Sequence, residues 1–311
     1  MYNFTFHRPT TVRQAAGLLA RNPEAKLLAG GHSLIPVMKL RLASPTALID
    51  LSQVEGMTGV EEKGRSIVIG AMTRHADVAN STVLQQAMPG LAAVPGSIGD
   101  PQVRNRGTIG GSIANNDPNA DYPAACLGLG ATIITNKRRI AADDFFTGMF
   151  STALEDGEII TKISFPIVKK AAYEKFKHPA SGFALVGVFV SKRGSDIRVA
   201  VTGAGSNGVF RVKSFEEALK KRFAAKSLEG MTIPANGMNA DIRVAVTGAG
   251  SNGVFRVKSF EEALKKRFAA KSLEGMTIPA TGMNGDIHAS PEYRAHLVSV
   301  LARRAVAKAT V

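Results

Sequence analysis

The sequence predicts a protein of mixed α and β structure with two or three domains, and three observations support this prediction. Its 311 residues are about twice the length of a typical domain. Short aliphatic and β-branched runs alternate with stretches whose apolar residues recur at helical spacing. Finally, 45% of the residues are hydrophobic and 21% are charged, which is typical of a chain that buries a core.

The first predicted part, residues 1–55, has the order helix, strand, glycine turn, helix, strand. A helix with a threonine cap is expected before Asn22-Pro23, and a buried strand over 25–29 runs directly into Gly30-Gly31. An amphipathic stretch over 34–42 and a strand over 47–51 follow. This order is typical of a ligand cradle built on parallel strands.

The second predicted part, residues 56–175, contains strands over 66–70, 131–134 and 159–166 and several short helical segments. Residues 96–111 are dense in Gly, Pro, Asp and Asn, and the sequence therefore predicts a loop. Because this segment is long for a connector, a functional role is expected for it.

The third predicted part, residues 176–311, alternates strands with helices and contains a tandem duplication. Residues 196–235 recur without change as 241–280, which defines two units, 196–240 and 241–285. Two copies are too few for a solenoid, so we expect the folded core to need only one unit.

The formal net charge is +14, which raises the possibility of nucleic-acid binding. However, the Lys and Arg residues are scattered, and aromatic residues make up only 6% of the chain, with no Trp. An acidic partner protein or a phosphate-bearing ligand is the better prediction, and no nucleic acid is expected. The sequence has no signal-peptide pattern and no apolar run of membrane-spanning length, so a cytoplasmic location without a membrane span is predicted.

The single cysteine, Cys126, lies in an apolar run and is predicted to be a buried small side chain. One thiol cannot ligate an iron–sulfur cluster or a structural zinc. No catalytic triad, metal motif or close carboxylate pair stands out, so neither a catalytic residue nor a metal site is predicted.

Two glycine pairs, Gly30-Gly31 and Gly110-Gly111, each stand beside a small hydroxyl residue. Glycine pairs let backbone N–H groups approach an anion, and two facing turns would hold the pyrophosphate of a dinucleotide. The alternative is two unrelated turns. Three residues near these pairs have two interpretations each. His32 is predicted to donate to a phosphate or to be a turn residue, and Asp121 is predicted to hydrogen-bond a ribose or to cap a helix. Lys177 is predicted to reach a flavin or to be solvated.

A third glycine motif, Gly203–Gly208, matches the G-x-G-x-x-G pattern of dinucleotide-binding sites. That motif should open a helix, but the β-branched and aromatic run 209–212 follows it and predicts a strand. A hairpin is therefore favoured over a nicotinamide site. The same residues recur at 248–253.

Several stretches together closely resemble the FAD-binding medium subunit of molybdenum hydroxylases, the family of xanthine dehydrogenase and aerobic carbon monoxide dehydrogenase. They are 29–36 (AGGHSLIP), Met38-Lys39, 100–104 (DPQVR), 107–112 (GTIGGS) and 116–118 (NDP). The resemblance implies an α+β fold: a two-subdomain FAD-binding domain of the vanillyl-alcohol-oxidase (PCMH) type, followed by a smaller α+β domain with an antiparallel sheet.

The resemblance also implies which residues contact FAD. The first motif contributes Lys26, Leu27, Leu28, Ala29, Gly30, Gly31, His32, Ser33 and Leu34, the second contributes Thr108, Ile109, Gly110, Gly111 and Ser112, and the remaining contacts are Ile98, Asp121, Ile160 and Lys177. Many relatives have Asn where this chain has Ser112, so one contact is expected to be looser.

The function implied by the resemblance is electron transfer through FAD within a molybdenum hydroxylase. The implied partners are a molybdopterin-containing large subunit and a 2Fe–2S small subunit, as a heterotrimer or a dimer of heterotrimers. Electrons would pass from the partner's clusters to the flavin and on to quinone, NAD or O2. Two alternatives remain open at this point: an NAD-dependent dehydrogenase using Gly203–Gly208, and a basic α/β binding module without a cofactor.

Overall fold

The structure, a computed structural model, describes residues 1–233, 245–250, 253–267, 269–281 and 290–309. The chain forms two compact units, residues 1–239 and 240–311. Strand β11 (Lys170–Lys177) spans the predicted boundary between 175 and 176, and the predicted three-part division remains a prediction.

The first sheet has three parallel strands in the order β1-β3-β2. Its strands are β1 (Thr5–His7), β2 (Lys26–Leu28) and β3 (Ala47–Asp50). Helix α1 (Val12–Arg21) begins at a capping box formed by Thr11 and Gln14, and helix α2 (Leu34–Lys39) follows the first glycine pair. The predicted order of strand, glycine turn, helix and parallel strand is confirmed.

The second sheet has five antiparallel strands in the order β4-β5-β10-β6-β7. These strands are β4 (Val60–Lys63), β5 (Ser66–Gly70), β6 (Thr132–Thr135), β7 (Arg139–Ala141) and β10 (Ile160–Pro166). Two short strands, β8 (Phe146–Gly148) and β9 (Ser151–Thr152), pair with each other. Seven helices accompany the sheet: α3 (His75–Ala79), α4 (Thr82–Ala87), α5 (Pro89–Gly96), α6 (Pro101–Arg106), α7 (Ile109–Asn115), α8 (Tyr122–Leu129) and α9 (Ala142–Phe145).

The segment 96–111 is not the continuous loop that the sequence predicts, because α6 lies inside it. The Asp100 side chain accepts a hydrogen bond from the amide of Val103 at 2.8 Å, and Pro101 occupies the first turn. An aspartate cap followed by proline is a strong helix start. Helix α7 then begins at Ile109, so both helices place their ends beside the second glycine pair.

The third sheet contains β11, β12 (Ala184–Arg193), β13 (Asp196–Thr202) and β14 (Phe210–Arg211), in that order and all antiparallel. Gly203 and Gly208 have φ angles of 82° and 93° and lie between β13 and β14. Helix α10 (Lys213–Lys221) starts only after β14. The third glycine motif is therefore the predicted hairpin and does not open a helix; its repeat at 248–253 lies partly outside the described residues.

The second unit repeats part of this arrangement and adds the terminal helix. It contains a hairpin of β15 (Ala245–Gly250) and β16 (Gly253–Arg256), helix α11 (Lys258–Lys266), a 3₁₀ turn (Ala270–Leu273) and helix α12 (Pro291–Ala309). It has its own small buried cluster, which includes Phe260 and Val298.

The main core lies in the first unit and joins the first and second sheets with helices α5, α7 and α8. Cys126 is buried in it, as predicted. Among the described helices, none is long and apolar enough to cross a membrane. The described residues also contain no group of three or more His, Cys, Asp or Glu that could hold a metal ion.

Candidate functional site

The first glycine motif forms a turn with unused hydrogen-bond donors. β2 ends at Leu28 and α2 begins at Leu34, so residues 29–33 turn between them. Gly31 has a φ angle of 77°, a left-handed conformation that favours glycine. Within residues 1–233, the amide N–H groups of Gly31, His32 and Ser33 have no hydrogen-bond partner, and both side chains are exposed. This turn can therefore bind an anion with three backbone donors.

The second glycine motif uses its amides differently. The N–H of Ile109 donates to the Thr73 carbonyl at 3.1 Å, that of Gly110 donates to the Ala71 carbonyl at 2.8 Å, and that of Gly111 donates to Thr108 Oγ1 at 3.2 Å. These three donors are already bonded within the protein, so this motif is not the second open nest that the sequence suggests. It holds the start of α7 against the end of β5.

Gly110 is required at this position by packing. A Cβ atom on Gly110 would lie 2.6 Å from the Cβ of Ala71, a separation that side chains do not reach. Gly111 differs, because its nearest neighbours would be Thr108 Oγ1 at 3.0 Å and the Cβ of Ala29 at 3.5 Å. Gly111 therefore faces the residue that precedes the first glycine pair.

The two motifs meet through the backbone. A Cβ atom on Gly30 would overlap the carbonyl oxygen of Arg106 and would lie 2.8 Å from the Cα of Gly107. Together with the neighbouring Ala29 and Gly111, this contact brings the free donors of the first motif beside the N-terminal end of α7. The predicted adjacency of the two turns is thus present in the fold, with free amides on the first turn.

His75 positions the segment that connects α6 to the second motif. No pattern in the sequence marked this histidine as part of the site. Its amide donates to the Gly107 carbonyl at 3.0 Å, and its imidazole Nε2 lies 2.6 Å from where a Cβ of Gly107 would be. Burial, assisted by the neighbouring His32, lowers the pKa of His75 to about 4. The ring stands 5.4 Å from that of Tyr122, and among the described residues neither His75 Nδ1 nor the Tyr122 hydroxyl has a hydrogen-bond partner.

Asp121 lies just before α8 in a buried polar cluster. It accepts a hydrogen bond from the Tyr173 hydroxyl at 2.5 Å and pairs with the ammonium group of Lys175 at 3.0 Å. Lys175 also donates to the Ser97 carbonyl at 3.2 Å. Burial raises the pKa of Asp121, while Lys175 and Tyr173 act in the opposite direction. Asp121 occupies the N-cap position of α8, but its side chain makes no cap hydrogen bond there.

The other predicted contact residues lie in different environments. Ile98 is half-buried, and its carbonyl accepts a hydrogen bond from Arg104 at 3.0 Å. Ile160 belongs to the hydrophobic core, whereas Lys177 is exposed at the end of β11. The buried lysine of the site is Lys175, which no pattern in the sequence marked. Tyr173 and Lys175 are two residues apart on one strand, a spacing that places both on the same face of the sheet.

Known proteins match both the sequence and the fold. Residues 2–168 match the family described as "FAD binding domain in molybdopterin dehydrogenase". The chain is 39% identical over 239 residues to the carbon monoxide dehydrogenase medium chain of Hydrogenophaga pseudoflava, covering 73% of this chain and 83% of the relative. It is 37% identical over 221 residues to the nicotine 6-hydroxylase medium subunit of Paenarthrobacter nicotinovorans, covering 68% and 78% of the two chains.

The fold comparison gives the same result. The carbon monoxide dehydrogenase structure from Hydrogenophaga pseudoflava superimposes with a TM-score of 0.67 and 31% identity, covering 99% of this chain and 98% of the other. The α+β fold with a PCMH-type FAD-binding domain is therefore confirmed, as are FAD as the cofactor and the oxidoreductase class. The free donors of the first motif fit the diphosphate of that cofactor. This chain belongs to the family of FAD-binding domains of molybdopterin dehydrogenases.

Proposed function

We propose that this chain is the FAD-carrying electron-transfer subunit of a molybdenum hydroxylase complex. The observation that carries the proposal is the turn at Gly31–Ser33. Its three amides have no hydrogen-bond partner within residues 1–233, and the turn lies beside the second glycine motif. The amides would bind the FAD diphosphate, because backbone donors without competing partners stabilise an anion at little cost in reorganisation.

The remaining predicted contacts divide the rest of the cofactor between them. Lys26 to Leu34 and Thr108 to Ser112 would flank the diphosphate, and Ile98, Asp121, Ile160 and Lys177 would line the other portions. The Asp121–Lys175 pair would act mainly by fixing the position of Ser97 and hence of the neighbouring Ile98. Bound flavin accepts one or two electrons and so connects one-electron carriers to two-electron acceptors.

The partners are proposed from the family to which this chain belongs. Its single cysteine cannot ligate an iron–sulfur cluster, so the clusters would belong to a 2Fe–2S small subunit. A molybdopterin-containing large subunit would oxidise the substrate, and quinone, NAD or O2 would accept the electrons. Two of the relatives are a "medium chain" and a "medium subunit", which supports a multi-subunit assembly. A cytoplasmic location remains a prediction.

The test is the flavin content of the purified chain and of the complex that co-purifies with it. We expect a yellow protein whose visible absorbance is lost on removal of FAD and restored on its addition. Partner subunits that carry molybdopterin and iron–sulfur centres should co-purify. A colourless chain that also fails to take up added FAD would overturn the proposal, and a flavin-loaded chain without partners would overturn the assignment to a complex.

A further inference from the structure

The two copies of the duplicated unit bury the same residues to different extents. In the second copy, Phe260 and Leu273 are 0% and 1% exposed. Their counterparts in the first copy, Phe215 and Leu228, are only half-buried. Because the local sequences are identical, the difference must come from what packs on each copy.

The neighbour that covers the second copy is the terminal helix α12. It contacts both β15 and the 3₁₀ turn at Ala270–Leu273. Val298 of this helix lies in the same buried cluster as Phe260 and Leu273, and Ala295 and Ser299 are buried beside it. Positions 295, 298 and 299 have the spacing of a single helix face.

The first copy belongs to a larger sheet than the described part of the second copy does. Its strand β13 lies between β12 and β14 in a four-stranded sheet, and Val199 and Val201 pack in one cluster with Leu219 of α10. In the described part of the second copy, β15 pairs with β16 alone. A lone two-stranded hairpin is marginally stable by itself. Each copy therefore holds a different part of one complete domain.

We propose that the first copy carries a second, open docking site for α12, formed around Phe215 and Leu228. The residues of this site are identical to those that α12 covers on the second copy, so the same helix face fits it. The sheet already holds the site in place, which lowers the ordering cost of docking. A chain that lacks 241–285 consequently completes its terminal domain with α12 on the first copy.

The rate of thiol labelling measures how accessible the same position is in each copy. We compare Leu228→Cys with its matched control Leu273→Cys, because both positions lie within the same sequence, KSLEGM. The native Cys126 is buried, and burial strongly raises the pKa of its thiol, so it contributes little labelling. In the full chain we expect position 228 to react roughly tenfold faster than position 273, since reagent reaches a covered thiol only through local opening.

The decisive variant deletes 241–285 from the Leu228→Cys chain. Docking of α12 on the first copy should then slow labelling at position 228 roughly tenfold while FAD is retained. Unchanged fast labelling in a shortened chain that holds FAD would overturn the proposal. So would slow labelling at position 228 of the full chain, because the site would then already be covered.

A second measurement does not depend on the folding of the shortened chain. A synthetic peptide of residues 290–309 is added to the full Leu228→Cys chain, with a scrambled peptide of the same composition as the control. The proposal requires saturable protection of position 228 by the native peptide alone. If neither peptide protects that position, the first copy does not bind α12, whatever the shortened chain does.

Discussion

Replacement of Lys175 by Met tests whether the buried polar cluster holds the site together. The Lys175 side chain is 3% exposed, and its ammonium group bonds to Asp121 at 3.0 Å and to the Ser97 carbonyl at 3.2 Å. The substitution keeps the length of the side chain but leaves the buried carboxylate of Asp121 without its cation. Among the residues that the structure describes, only the Tyr173 hydroxyl would still donate to it.

The expected loss of stability can be worked from this geometry. Removal of one partner from a buried ion pair costs about 3–5 kcal/mol. Because Tyr173 still donates and Asp121 can take up a proton, we expect the lower end of this range, about 3 kcal/mol in the free energy of unfolding. For a folded unit of this size, that corresponds to a fall in melting temperature on the order of 6–12 °C.

The loss should also depend on pH. Burial raises the pKa of Asp121 in the folded state above its usual value of 3.8, and removal of Lys175 raises it further. The folded variant therefore binds this proton more tightly than the unfolded chain does. Its stability must fall as pH rises from 3.8 through the folded pKa and then level off, so the defect relative to the native chain is smallest in acid.

The assay is urea and thermal unfolding of the flavin-free chain, followed by circular dichroism at several pH values. Lys177→Met is the matched control, since this lysine lies two residues further along the same strand and is exposed. We expect its stability to change by less than about 0.5 kcal/mol. If the two variants unfold alike, or if the Lys175→Met defect does not shrink in acid, the cluster does not stabilise the site in the way described.

Five further substitutions test the remaining parts of the site. Gly31→Ala should weaken FAD binding in a fluorescence titration. The control is Gly64→Ala, which is also at a left-handed position (φ 61°) but has open space around it. This control should carry the same backbone strain of about 1 kcal/mol and leave FAD affinity unchanged. Tyr122→Phe removes a buried hydroxyl that has no hydrogen-bond partner within the described part of the chain, and it should raise stability by about 1 kcal/mol. Tyr173→Phe breaks the hydrogen bond to Asp121 and should lower stability, and the reverse order in urea unfolding would refute this. Gly110→Ala should cost roughly 1–3 kcal/mol of stability through overpacking, and an unchanged unfolding midpoint would show that this packing is not tight.

The glycine motifs were predictable from the sequence because they are local signals. A strand that runs into Gly30-Gly31 and a small hydroxyl residue beside each glycine pair can both be recognised without knowledge of distant contacts. The loop prediction for 96–111 failed for a related reason. The dense Gly, Pro and Asn outweighed the cap at Asp100, although an aspartate followed by proline is itself a helix start.

The polar cluster could not be predicted, because its members are distant in sequence. Nothing in the strand around Lys175 marks this lysine as buried, since charged residues stand on both faces of that strand. Its burial becomes favourable only once Asp121, 54 positions away, and the Ser97 carbonyl converge on it. The use of the amides in the second motif is likewise set by the carbonyls at Ala71 and Thr73, which only the folded chain brings near.

The backbone contact between Gly30 and Arg106 has a consequence for the order of folding and loading. It joins segments that are more than seventy residues apart in the sequence. Such long-range contacts form slowly, because the chain must lose conformational entropy before the contacts stabilise it. The turn of the first glycine motif, residues 29–33, therefore reaches its final surroundings only when both segments have folded together. Under the proposed function, the cofactor would be captured only after this step, and a newly made chain that is already yellow would have folded both segments.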